Sequence, residues 1–268
     1  MLALGIDVPR PSQYVSHKTV DDLALESVRL FRSKHPQRQH SWIDTEAFLD
    51  YLEISTVWED IEEPEGAAFF ASFCADSDGL VTINEKHREF FDSRPDVYSA
   101  CLGHEAGHCV LKHWESGGAP QALSLFEDST PASKLFHKSS WLQYGLSRNE
   151  VRELKEAELR FKQTLARSAF VSPTARETLK QLTDYFEPEW MFWQAEHFSL
   201  CLRIPRDTLK PQLEEGWNFN TWTPIYRLAE RFRVSPSMMR LRLEKLGVIE
   251  IGADGRPHQV LTTPNLFQ

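Results

Sequence analysis

Residues 96–114, DVYSACLGHEAGHCVLKHW, decide how the rest of the chain is read. Pro95 stands just before the segment, nothing inside it breaks a helix, and Leu102, Val110 and Leu111 flank small residues, so the spacing predicts one helix over 96–114. Each helical residue advances about 100°, which puts residues four apart on one face. His104 and His108 therefore point the same way and can grip one Zn2+ at about 2.0–2.1 Å. Glu105 lies one step around, beside the open position of such a metal. There it can take a proton from water and deliver it to a leaving amine. HExxH on a helix thus predicts metal-assisted hydrolysis, with Glu105 catalytic and His104 and His108 as ligands.

A catalytic zinc site needs a third protein ligand. His113 is nine residues beyond His104 and, on a continuous helix, does not face the way His108 faces, so it is set aside. A later apolar run, EWMFWQAEHFSLCLRI, opens after Pro188 and stops near Pro205. Glu196 sits in it among Trp193, Ala195, Phe198 and Leu200, where an unpaired carboxylate is expensive to bury. It is the expected third ligand, with Glu189, two turns earlier, in reserve.

Outward from these two helices the chain is that of an ordinary globular protein. Its 268 residues are 41% hydrophobic and 26% charged, which excludes collagen-like, coiled-coil and wholly disordered chains. No run approaches the ~18–20 apolar residues of a membrane span. The opening MLALGIDVPRPSQYVSHK lacks the basic and apolar regions of a signal peptide, and Cys74, Cys101, Cys109 and Cys201 form no CxxC pair. A cytoplasmic protein with reduced thiols is expected, with no membrane contact. Helices are predicted at 18–34 and 43–52, and a hairpin of strands at 67–74 and 80–84 turning at DSDG. Residues 115–133 read as a loop, 147–167 as a charged helix, and another helix follows Pro173.

After Pro205 the composition changes. Residues 206–220 read as a connector, and 224–246 as two short helices turning at 233–235, with Ser235 capping the second and Pro236 at its first position. Residues 221–249 hold six basic side chains against Glu230 and Glu244, a local +4 on a chain of net charge -9. Arg233, Arg240 and Arg242 are the candidate DNA- or partner-binding residues, for a contact that would be weak.

Three of these blocks, in this order, resemble the ImmA/IrrE-type metallo-endopeptidases: a strand ending in Ile83-Asn84 followed by the HExGH helix, His104 to Leu111; WQAEHFSLCLRIP, 193–205; and LAERFRVSPSMMRLRLEKLGVI, 228–249, similar to a helix-turn-helix segment. They cover about a third of the chain. The resemblance implies an α+β fold: a zincin-like, mostly helical peptidase domain with a small β-sheet over 1–205, and a small helical, helix-turn-helix-like module over 206–268. It implies Zn2+ on His104 and His108, Glu105 as the catalytic carboxylate, and cleavage of a specific protein partner, a DNA-binding repressor, that releases a stress response or a mobile element.

Two departures stand out. The position of the family's metal-binding Glu falls on Phe192, which cannot bind zinc, so either Glu196 one turn later or Glu189 one turn earlier serves in its place, or the site binds metal weakly and the protein no longer cuts. Some 75 residues also separate His113 from Pro188, a helical insertion over 115–187 between the two metal helices. A non-catalytic regulator that binds DNA or a repressor, with a degenerate metal site, is the first rival reading. A metalloprotease toxin or defence effector using the same site is the second.

Overall fold

The computed structural model describes residues 7–8, 15–38, 40–61, 70–74, 79–113 and 189–260. The helices expected at 147–167 and after Pro173, and with them the 115–187 insertion, lie outside the described residues. Among these residues the architecture is α+β: mostly helical, with two small sheets. Among the described residues no helix is long and apolar enough to cross a membrane.

The chain enters through α1 (His17–Lys34), whose N-cap Ser16 accepts a hydrogen bond from the backbone of Thr19. A short α2 (Thr45–Tyr51) follows, capped by Asp44. The predicted hairpin is present as β2 (Ala71–Cys74) and β3 (Leu80–Asn84), antiparallel, with Ala71 opposite Ile83. A strand the sequence reading lacked, β1 (Ser55–Glu59), lies parallel to β3 with Ser55 opposite Leu80, so β3 is the central strand. The buried side chains of β3 suit that position. A short α3 (Arg88–Ser93) leads into α4 (Pro95–Val110), which starts with Pro at its first turn and Asp96 beside the helix N-terminus.

The helix expected to run through Trp114 stops at Val110. Leu111 caps it, and Lys112 turns the chain away in the left-handed region at φ 53. No glycine or asparagine marks that end, which is why periodicity overran it.

Helix α5 (Glu189–Arg203) is the spine of the molecule. It is buried almost all round, as an apolar helix inside a core must be. On one side Phe198, Cys201 and Leu202 join the core made by α1, α2, the sheet and α4. On the other, Leu200 and Ile204 join a second core built by the C-terminal elements. The expected connector after Pro205 is in fact a helix, α6 (Arg206–Leu213), despite Pro211 within it. Then come α7 (Thr223–Phe232) and α8 (Pro236–Lys245), with Ser235 accepting from Met238 N as its N-cap, and a hairpin of β4 (Ile249–Ile251) and β5 (Pro257–Gln259).

Candidate functional site

Small residues bring α4 and α5 together. A Cβ added to Gly107 would lie 2.9 Å from the Cα and the carbonyl oxygen of Ala195, and one added to Gly103 would lie 2.6 Å from Ser199 Oγ. The two helices are therefore antiparallel, with Gly107 against Ala195 and Gly103 against Ser199, and the backbones approach more closely than ordinary side chains permit. Ser199 Oγ donates to the carbonyl of Ala100, 3.0 Å away, so even the polar atom in the seam belongs to the α4–α5 contact.

The same geometry buries the motif. His104, Glu105 and His108 are each at most 1% exposed. The Nε2 atoms of His104 and His108 lie 3.0 Å apart, their ring centroids 4.9 Å. Two metal–nitrogen bonds of about 2.0–2.1 Å at a tetrahedral angle span about 3.3 Å, so this pair fits a single zinc-like ion as two of its ligands. Glu105 sits within α4 one residue on from His104, and its charge acts on the thiol of Cys101 one turn back. Burial first, and then that charge, push Cys101 well above the ordinary thiol range, so this cysteine stays protonated and inert.

The expected third ligand is not brought to the pair. Among the described residues no group of three His, Cys, Asp or Glu side chains is gathered to hold a metal. Glu196 is half-buried on α5, about 100° round the helix from the Ala195 that faces α4, and its charge acts on Lys245 of α8. The side chain of Glu189 lies outside the described residues. Phe192 stands against His104 instead, its ring centroid 5.0 Å from that of the imidazole.

One histidine that the sequence reading set aside does enter the site. The left-handed turn at Lys112 brings His113 back under α4, fully buried, with its Nδ1 2.8 Å from Nδ1 of His108. Its other nitrogen, Nε2, lies 3.2 Å from Oε1 of Gln194, also buried. Trp190 closes edge-on over the His113 ring at 5.7 Å. Only the helix end gave the position away, and that end carries no residue signal.

The basic C-terminal residues separate into distinct roles. Arg242 is 1% exposed: its guanidinium donates to both oxygens of Asp21 on α1, to the carbonyl of Ile204 and to Cys201 Sγ. The expectation that it meets DNA or a partner gives way to an internal role, because a guanidinium so enclosed reaches no phosphate. Arg233 is exposed, itself left-handed at φ 52, and lies 4.1 Å over the ring of Trp42. Arg240 is partly exposed and pairs with Glu244 one turn on. A further arginine, Arg203 at the end of α5, is buried and donates to Met238 Sδ and to the carbonyl of Arg233, tying α5 to the turn between α7 and α8.

A family model described as the IrrE N-terminal-like domain, Peptidase_M78, matches residues 176–244. The match runs through α5 and the C-terminal helices to α8, and the HExGH segment precedes it. No curated protein matches the chain.

Proposed function

We propose that the chain is an ImmA/IrrE-type metallopeptidase, on the match of residues 176–244 and the HExGH helix before it, and that it is a cytoplasmic, zinc-dependent endopeptidase of zincin-like build that cuts one specific protein partner, a helix-turn-helix repressor. The observation that carries the reading is the 3.0 Å separation of two buried imidazole nitrogens one helical turn apart, with Glu105 between them in sequence.

His104 and His108 would hold the ion through their Nε2 atoms. Bound there, zinc polarises a scissile carbonyl and lowers the pKa of water toward about 7. Glu105 takes the proton of the attacking water and passes it to the leaving nitrogen, the role its place beside the pair suits. Phe192 covers the flank of His104 and keeps bulk water from that side. Glu196 stands outside this set, beside Lys245, which leaves Glu189 as the acidic candidate on α5 for the remaining ligand.

The contact of Phe192 with His104 favours one second reading, a regulator that has lost cleavage and only binds its repressor or DNA. With Arg242 enclosed, a DNA contact would rest on Arg233 and Arg240.

Metal analysis with the Glu105→Gln variant tests the first reading. The variant should keep one divalent ion per chain and lose cleavage of the partner. Undiminished cleavage would overturn the mechanism, and a purified wild-type chain without stoichiometric metal would transfer the weight to the second reading.

A further inference from the structure

The pair His104–His108 is one end of a longer buried row: His104 Nε2 to His108 Nε2 at 3.0 Å, His108 Nδ1 to His113 Nδ1 at 2.8 Å, and His113 Nε2 to Gln194 Oε1 at 3.2 Å. All four side chains are at most 1% exposed. A neutral imidazole has one donor and one acceptor nitrogen, and an amide oxygen only accepts. Gln194 Oε1 therefore takes the proton of His113 Nε2. That leaves His113 Nδ1 as an acceptor, which in turn requires the proton of His108 on Nδ1 and its lone pair on Nε2, facing His104.

From this order we infer that His113 and Gln194 are positioning residues: they hold His108 as its Nδ1–H tautomer and so aim the Nε2 lone pair at the metal. The inference rests on reading His104 and His108 as metal ligands. The two residues come from opposite ends of a gap of 81 residues, one from the left-handed turn at Lys112 and one from α5. They meet only because Gly107 lets Ala195, the neighbour of Gln194, come within backbone contact of α4. A reversed amide would invert the row, presenting Gln194 Nε2 to His113 and placing the proton of His108 on Nε2, where it would block coordination. The direction of the row thus decides which imidazole carries the proton between the two Nε2 atoms, His104 in this order and His108 in the reversed one, so Gln194 sets that His108 offers the ion a lone pair while His104 must give up its Nε2 proton. Partners of this kind, hydrogen-bonded to the far nitrogen of a ligand histidine, orient the ring and raise its basicity, and their loss costs about 10–100-fold in metal affinity.

The test uses the full-length chain labelled with 15N-histidine, free of metal, with long-range proton–nitrogen spectra assigned by single histidine substitutions. His108 should carry its proton on Nδ1. In Gln194→Leu it should become a mixture of tautomers, and zinc affinity, measured by competition with a chelator, should fall about 10–100-fold. Gln194→Glu keeps an acceptor at the same place and should restore both readings to within about threefold. His113→Phe should behave as Gln194→Leu does. A wild-type His108 protonated on Nε2, or a Gln194→Leu chain that binds zinc as tightly as wild type, would overturn the inference. Should the wild type bind no divalent metal, the proposed peptidase reading fails, and the tautomer of His108 still decides this one.

Discussion

The guanidinium of Arg242 grips both carboxylate oxygens of Asp21, at 2.9 and 3.0 Å, across 221 residues of sequence. The pair fastens α8, the last helix among the described residues, to α1. Both partners are buried, and the arginine is further satisfied by Cys201 on α5 and by the carbonyl of Ile204 just past its end.

Removing one member of a buried ion pair strands the other charge, at a cost of about 3–5 kcal/mol. Asp21→Ala should lose that much stability in chemical denaturation. The double change Asp21→Leu with Arg242→Met, which removes both charges and fills the space, should cost clearly less. Equal losses in the two variants would mean that packing, and not the ion pair, holds α8 to α1.

The same pair makes the fold sensitive to acid. Burial pushes the Asp21 carboxyl up, but hydrogen bonds and charge from Arg242, with help from Arg206 and His197, bring it below its ordinary value of 3.8. A carboxyl with a depressed folded pKa contributes stability that is complete above its unfolded pKa and is lost as the pH falls through the folded one. The denaturation midpoint should therefore drop as the pH falls below about 4. In Asp21→Asn, already weaker at neutral pH, the acid loss should be smaller, so the two curves approach one another. Parallel curves would assign the acid sensitivity elsewhere.

Gly107 and Gly103 should differ in tolerance. Alanine at 107 meets the backbone of Ala195, which cannot rotate away, and should cost about 1–3 kcal/mol while pushing α5 off the motif and weakening metal binding. Alanine at 103 meets a hydroxyl that can turn, at the expense of its bond to Ala100, and should cost less. Adding Ser199→Ala to Gly103→Ala should recover part of the loss. Thermal melts of the three variants, with zinc competition for the first, check the ranking.

Phe192 and Glu196 make opposite forecasts. Phe192→Glu sets a carboxylate against His104 and should tighten zinc by about tenfold or more, equivalent to about 1.4 kcal/mol. Glu196→Gln, beside Lys245, should leave zinc affinity within about twofold of wild type. Loss of metal in Glu196→Gln would return that residue to the ligand set and contradict its position on α5.

Much of this was legible from residue order. The spacing of apolar residues placed α1, α5, α7 and α8, Pro95 placed the start of α4, and Ser235 with Pro236 placed the start of α8, because each signal acts over a single turn. What escaped depends on partners far away. Ser55–Glu59 has little buried surface of its own and becomes a strand through parallel pairing with β3. The charge of Arg242 read as a surface feature because its counter-ion lies near the other end of the chain. For the site, His104, Glu105 and His108 announce themselves by spacing. His113 and Gln194 do not, since their meeting depends on one left-handed residue and on two glycines that close a helical seam.

Helix α5 works as a lever between two surfaces. At its start it seats Phe192 on His104 and Ala195 on Gly107. Near its end Arg203 is riveted to the α7–α8 turn, and Arg242 of α8 clasps the carbonyl of Ile204 just beyond it. A pull on α8 would therefore be carried along this rod to the space between the imidazoles.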